Sequence, residues 1–339
     1  MGTTTDIEDR TQRQPGAKYV PVALEPHNPG IPLEIEWVDG VRVNRSAVER
    51  RAGTLNTRRS VKKEWQAAWL LKAVTLMDLT TLAGDDTEGR VLRLAGKARR
   101  PVRQDILEAM GAGGLPIRVA GLCVYHRYIA VAVEALRGSG IPVVAVSTGF
   151  PAGLSPMEQR VAEIEASLAA GADEIDIVIT RAHVLQQNWA ALYDEVRAFR
   201  AATGEAHLKT ILATGELGPL RNVYKASLVC MMAGADFIKT STGKESVNAT
   251  LPYGLVMTRA IRDYRERTGF VVGFKPAGGI RTAKDAMQWE VLMKEELGNA
   301  WLEPSLFRLG ASSLLADIER QLEYYVTGRY SANYRHPLG

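Results

Sequence analysis

The feature that most constrains this chain is an alternation repeated eight times. From Leu76 onward, short apolar runs alternate with amphipathic stretches of helical length. The strand cores read LMDLT (76–80), VAGLCVY (119–125), PVVAVST (142–148), EIDIVI (174–179), HLKTIL (207–212), DFIKTST (236–242), VVGFKPA (271–277) and LFRLGAS (306–312). Between them lie helical patterns such as PMEQRVAEIEASLAAGA and VMTRAIRDYRERTG, many ending in the Gly that helix C-termini prefer. Strands joined through helices run parallel, because the helix supplies the crossover that a hairpin cannot. Eight such units over about 250 residues close into a barrel. The predicted fold class is therefore α/β, a (β/α)8 TIM barrel over residues 76–328 with an N-terminal extension. An open doubly wound sheet is the alternative; it calls for a Gly-rich fingerprint after the first strand, and LMDLTTLAGDD has none.

Residues 1–35 are polar with several Pro and Gly, which predicts a mobile arm. Residues 36–75 read as a helical extension packing on the barrel, with VKKEWQAAWLLKAV at helical spacing. The basic stretch from Arg50 to Lys63 reads as the solvated side of a helical segment. Residues 329–339 form a tail; with Tyr325 just before it, Tyr330 and Tyr334 leave two readings open, a cover over the barrel mouth or plain surface.

Lys and Arg outnumber Asp and Glu by 42 to 38, a net charge of +4. So mild an excess suits an anionic small molecule and does not argue for nucleic acid. Cys123 and Cys230 both lie in apolar surroundings and form no disulfide framework, which points to a reducing, cytoplasmic setting. No apolar run approaches the ~18 residues a membrane span needs, and the N-terminus lacks the apolar segment of a secretory signal. The five histidines are scattered, with neither HxH nor HExxH spacing, and Gly243-Lys244 is followed by Glu245 rather than Ser or Thr, so neither a metal nor a P-loop is expected. No cofactor is expected either. A symmetric homodimer is the commonest assembly and is the expected one.

Active residues of such barrels sit at the C-terminal ends of strands. Here those ends carry Asp78 and Thr80, Cys123, Asp176, Lys209, Lys239, Lys275, and then Gly310, Ser312 and Ser313. Alternation along EIDIVI turns the isoleucines toward the helices and Asp176 toward the barrel axis. Lys239 likewise shares a face with Phe237 and Ser241, and strands four to seven are consecutive, so Asp176, Lys209, Lys239 and Lys275 should cluster. A barrel-filling ion network would be the bland explanation. The chemical one is an amine nucleophile: neighbouring ammoniums disfavour each other's charge, and a neutral lysine can form a Schiff base. A second cluster favours chemistry. PAGGIRT after strand seven brings Gly278, Gly279 and Arg281, TSTGK after strand six brings Gly243 and Lys244, and GASS opens a helix after strand eight. Phosphate is commonly held between the last loops of such barrels, at a helix start. Amine and phosphate sites side by side indicate a phosphorylated carbonyl substrate.

At these residues the sequence resembles a known family. DFIKTSTGK, GFKPAGGIRT, LKTILATGEL, ADEIDIVI and FRLGASSLL resemble the signature segments of the deoxyribose-phosphate aldolases, metal-free class I aldolases with a (β/α)8 fold, and the likeness runs from about Val61 to Tyr330. It looks closest to the longer animal-type members. The resemblance implies reversible cleavage of 2-deoxy-D-ribose 5-phosphate to D-glyceraldehyde 3-phosphate and acetaldehyde. It implies Lys239 as Schiff-base lysine, Lys275 as the lysine that tunes it, and Asp176 in the proton relay. Lys244, Gly278, Gly279, Ser312 and Ser313 match the family's phosphate-binding positions, with Gly243, Arg281 and Gly310 beside them from the reading above, and Asp78, Thr80, Cys123 and Lys209 match pocket-lining ones. One departure is CVYH, with His126 where the family has proline. A Schiff-base aldolase of another sugar phosphate, and a barrel that only binds phosphorylated metabolites, are the rival readings.

Overall fold

A computed structural model describes residues 27–336 of the chain. Eight strands, β1 (Met77–Thr80), β2 (Gly121–Tyr125), β3 (Val143–Ser147), β4 (Glu174–Val178), β5 (His207–Ile211), β6 (Phe237–Lys239), β7 (Gly273–Lys275) and β8 (Leu309–Ala311), form one parallel sheet in the order β7-β6-β5-β4-β3-β2-β1-β8. Bridges Phe274↔Phe307 and Ala277↔Gly310 join its two ends and close the barrel. The fold class read from the alternation is the one observed.

The three strands that close the circle are shorter than the apolar runs suggested. Just beyond Lys239 and Lys275 the last backbone bonds of the ladder are joined by side-chain ones: Ala277 donates its N–H to the Thr240 hydroxyl at 2.9 Å, which in turn donates to the Ala277 carbonyl at 3.2 Å. The loops at the mouth are thus tied to one another, not left free. Outward positions of β4, Ile175 and Ile177, are fully buried against helices, as is Ile179 just beyond it. The apolar layer that stabilises the fold lies between sheet and helices, whereas the inward face carries both a charged group of side chains, from Asp78, Glu174, Asp176, Lys209, Lys239, Lys275 and Arg308, and a small apolar cluster around Cys123.

Helices Ile35–Gly40, Arg45–Arg58 and Lys63–Thr75 make the N-terminal extension, which lies over the helices Leu220–Met232, Leu251–Thr268, Ala283–Glu296 and Leu314–Thr327. Helix Ile35–Gly40 adds to the cover that the flanking helices Trp189–Thr203 and Leu251–Thr268 give helix Leu220–Met232, which is buried on nearly every face from Asn222 onward. The basic stretch is less solvated than its composition suggests. Arg51 and Arg59 reach Glu296 and Glu295 at 2.9 and 2.6 Å, pinning the second helix to its neighbour.

Of the expected N-terminal arm, residues 1–26 lie outside the described residues. The rest of it, from His27, is docked. Asn28 donates to the Met231 and Ala235 carbonyls at 2.7 and 2.9 Å, its own N–H meets Asp236 at 2.8 Å, and Tyr264 donates to its side-chain oxygen at 3.1 Å. Ile31 N–H adds a bond to the Met232 carbonyl. The carbonyls at the end of a helix have no partner within it, and this polar segment supplies one. A polar composition cannot distinguish a segment that caps a helix from one that stays in water.

At the other end, Tyr330 stacks on Tyr324 with ring centroids 4.3 Å apart, and His336 is buried beside Ser331, Glu319 and Glu323. Residues 331–336 therefore follow the last helix rather than cross the barrel mouth; residues 337–339 lie outside the described residues. Among the described residues no helix is long and apolar enough to cross a membrane.

Replacing Asn28 by Ala takes the side-chain partner from the Ala235 carbonyl, the Gly30 N–H and the Tyr264 hydroxyl. It should cost about 2–3 kcal/mol of stability, read as a shifted denaturation midpoint at unchanged slope; an unshifted midpoint would show that the docked segment contributes nothing.

Candidate active site

β4, β6 and β7 place the central groups. Lys239 and Lys275 are register partners on adjacent strands, and both side chains point into the lumen. Their ammonium nitrogens reach the same carboxylate oxygen, Asp176 Oδ2, at 2.7 and 2.8 Å. Lys209 reaches the other oxygen, Oδ1, at 3.2 Å, and Lys275 also meets Asp78 at 2.5 Å. The expected cluster of one aspartate and three lysines is thus a single contact set.

The two lysines on Oδ2 are not equivalent. Burial pushes Lys239 below the ordinary lysine range; Asp176 opposes that shift and the neighbouring Lys275 ammonium reinforces it. Burial works against the charge of Lys275 as well, but Asp176 and Asp78 together hold it above the ordinary range. Burial alone would raise Asp176; Lys209, Lys239 and Lys275 instead keep it well below the usual carboxylate range. A lysine with two carboxylates keeps its proton and a lysine sharing one gives it up more readily. Lys239 is also the member at the surface of the cluster, 3% exposed where Lys209 and Lys275 are sealed.

Above Lys239 opens a cavity of about 340 Å³. Thr80, Gly310, Ser312 and Ser313 line one side, from β1 and β8. Gly243, Lys244, Gly278, Gly279 and Arg281 line the other, from the loops after β6 and β7. The Glu245 carboxylate shapes the first of those loops by accepting from the N–H groups of Thr242 and Gly243 at 2.9 and 3.1 Å. Gly278 has φ +81°, and a Cβ there would fall 2.7 Å from the Asn248 side chain, so only glycine permits the loop to pass so close. The 14-residue helix Leu314–Thr327 starts directly behind Ser313, which puts a helix N-terminus at this end of the cavity. Lysine, arginine, hydroxyls and backbone amides there converge as for an anion.

Three residues expected on the pocket wall sit a layer deeper. Asp78 and Lys209 are wholly buried within the ion cluster. Cys123 is 1% exposed among Leu82, Val144, Val146, Phe150, Val178 and Ile211, and burial raises its thiol, leaving a neutral packing residue. Two lumen residues escaped the sequence reading, Glu174 and Arg308. Each lies two positions before a residue that was noticed, Asp176 and Gly310, so period-two alternation alone puts them on the same inward face. His126 lies in a short turn (His126–Tyr128) after β2, half exposed, its ring 3.3 Å from Glu163. Another cavity, about 460 Å³, lies between the N-terminal extension and helix Leu251–Thr268, but its Arg259 and Arg262 are engaged by Glu296 and no reactive group faces it.

A barrel whose mouth sets an amine over a shared carboxylate, with an anion cradle across the cavity, has the parts of an imine-forming lyase. The profile of the DeoC/LacD family aldolase matches residues 73–319. The deoxyribose-phosphate aldolase of Homo sapiens is 57% identical over 317 residues, 93% of this chain and all of that one. The deoxyribose-phosphate aldolase of Mus musculus is 60% identical over 314 residues, 92% of this chain and 99% of that one. The solved deoxyribose-phosphate aldolase of Aeropyrum pernix superposes with a TM-score of 0.57 at 22% identity, over 83% of this chain and 99% of that one, a likeness of fold. The chain belongs to the DeoC/LacD family of aldolases.

Inorganic phosphate should bind in the cavity and protect its loops from hydrogen exchange. Gly278→Val, which drives a side chain into Asn248, should weaken that binding by a factor of about ten or more in calorimetric titration; equal affinity would place the anion elsewhere.

Proposed function

We propose that this chain is a deoxyribose-phosphate aldolase, a metal-independent class I lyase that cleaves 2-deoxy-D-ribose 5-phosphate to D-glyceraldehyde 3-phosphate and acetaldehyde and runs the reverse addition. The observation that carries the reading is the unequal pair of lysines on one oxygen of Asp176, set beneath a cavity with an anion cradle.

The chemistry follows from that inequality. Neutral Lys239 attacks the substrate aldehyde, and loss of water leaves an iminium. Asp176, through a water held by the charged Lys275, takes the proton of the hydroxyl two carbons from the iminium carbon. The carbon–carbon bond breaks, its electron pair moves into the iminium to form an enamine, and glyceraldehyde 3-phosphate departs. Protonation of the enamine carbon and hydrolysis release acetaldehyde and the free amine. The phosphate is gripped by Gly243, Lys244, Gly278, Gly279, Arg281, Gly310, Ser312 and Ser313; binding energy from this remote group aligns the reacting carbon over Lys239. The reading places the enzyme in deoxyribose phosphate catabolism, takes a cytoplasmic setting from two buried free thiols, and takes a symmetric dimer as the assembly.

Borohydride with acetaldehyde or substrate should trap one adduct, on Lys239, identified by peptide mass. Lys239→Ala should lose turnover to background while keeping its fold; retained turnover refutes the assignment. Product analysis with deoxyribose 5-phosphate against other aldose phosphates separates this activity from that of a related Schiff-base aldolase. Because lowering pH protonates the nucleophile, kcat/KM should fall on the acid side. Lys275→Met, by removing a neighbouring cation, should move that limb to higher pH; a limb unmoved or shifted down would deny Lys275 its tuning role.

A further inference from the structure

We infer that Arg308 and Glu174, which touch no part of the cavity, are positioning residues that keep Lys239 uncharged by completing a closed, charge-balanced ring beneath it. The inference rests on the Schiff-base reading above. The ring can be walked from contact to contact. Lys275 meets Asp78 at 2.5 Å, Asp78 meets Arg308 at 2.5 Å, and Arg308 meets Glu174 at 2.8 Å. Glu174 accepts from Lys209, Lys209 meets Asp176 at 3.2 Å, and Asp176 returns to Lys275 at 2.8 Å. Three cations alternate with three anions, and each ion touches two of opposite sign.

Lys239 stands outside this ring and touches only Asp176 Oδ2, an oxygen already occupied by Lys275. Its ammonium would be a seventh, uncompensated charge in a lumen nearly sealed from water, the costliest place for one. No ring member can yield its proton as cheaply. Arginine does not deprotonate in proteins, and each ring lysine would leave two carboxylates short of a partner. The groups nearest Lys239 are Asp176 from β4, Lys275 from β7 and the neutral thiol of Cys123 from β2, with Lys209 of β5 behind Asp176; Lys244 and Arg281, from the loops after β6 and β7, line the same cavity. Burial opposes the charges of these groups, yet Lys275 and Arg308 lie above their ordinary ranges and Asp78, Glu174 and Asp176 below theirs, so the five reinforce one another, while Lys239 moves toward neutrality.

The lumen is shaped around the far side of the ring. A Cβ on Gly121 would lie 2.8 Å from Asp78 Oδ1 and 3.1 Å from Arg308 Nη1. A Cβ on Gly273 would lie 2.4 Å from the Phe237 ring, over which Lys209 and Arg308 sit at 5.8 and 6.0 Å. Two strand glycines thus make room for the pair and for the aromatic plate on which two of its cations rest.

The test measures the acid limb of borohydride-trappable imine formation across pH. In Arg308→Met the ring lacks a cation, Lys239 takes its place as the third, and the limb should rise by about one pH unit or more. In Glu174→Gln the ring lacks an anion and the limb should fall. The double variant restores the balance, so its limb should return toward that of the wild type, and Arg308→Lys should resemble the wild type. A folded Arg308→Met with an unmoved limb overturns the inference, as does a double variant no nearer the wild type than either single one. If Arg308→Met does not fold, the near-isosteric Glu174→Gln decides alone, an unmoved or raised limb refuting the ring. A wild-type protein that traps no adduct on Lys239 would sink the underlying reading instead, whereas trapping with unshifted limbs sinks only this inference.

Discussion

The site depends on one carboxylate. Asp176 offers two oxygens to three lysines, and its ionisation is what lets a lumen this polar exist inside an apolar shell. Buried ion pairs repay their desolvation poorly, and a barrel filled with branched aliphatics would pack as well or better. The cluster is therefore retained at some expense in stability, and the expense falls where the chemistry needs it. Stability is supplied elsewhere, by the layer between strands and helices, where Ile175, Ile177, Leu192, Val196 and Phe199 are completely buried. The two faces of one strand, β4, serve the two purposes.

The mouth adds reach to this centre. Short β6, β7 and β8 release the chain early, so that the loops carrying Gly243, Lys244, Gly278 and Gly279 rise around the cavity instead of continuing the ladder. Cross-links such as Glu245 to the Thr242–Gly243 backbone and Thr240 to Ala277 hold those loops in place. A preorganised cradle loses less entropy when an anion arrives, so that under the proposed function more of the binding energy remains to position the aldehyde over Lys239. The N-terminal extension works from outside: by adding to the cover on helix Leu220–Met232 and closing its end with Asn28, it braces the element that leads directly into β6 and Lys239.

Much of this was legible in the sequence, and the reasons are local. Eight apolar runs with helical spacers determine a parallel closed sheet, because parallel neighbours need crossovers. Alternation within EIDIVI orients Asp176, and the spacing of lysines at strand ends marks the lumen. The Gly and Ser clusters after the last strands mark the loops that line the cavity. The same alternation should have exposed Glu174 and Arg308, which went unnoticed because attention fell on strand ends rather than on the positions below them. Asp78, Cys123 and Lys209 were placed one layer too high for the complementary reason: periodicity gives a face but not a depth.

By itself the sequence determined the barrel, the inward face of each strand and the identity of the charged neighbours of Lys239, since these follow from backbone periodicity and from which side chains can carry charge. Only the tertiary structure decided which lysine stands apart from the paired charges, how the ring beneath it closes, and that the polar N-terminal segment caps a helix. Those outcomes turn on distances between strands far apart in the chain: Asp78 lies 230 residues from Arg308, and Asp176 lies 99 from Lys275. Electrostatic energies depend steeply on such separations and on burial, and neither is encoded in any local pattern of residues.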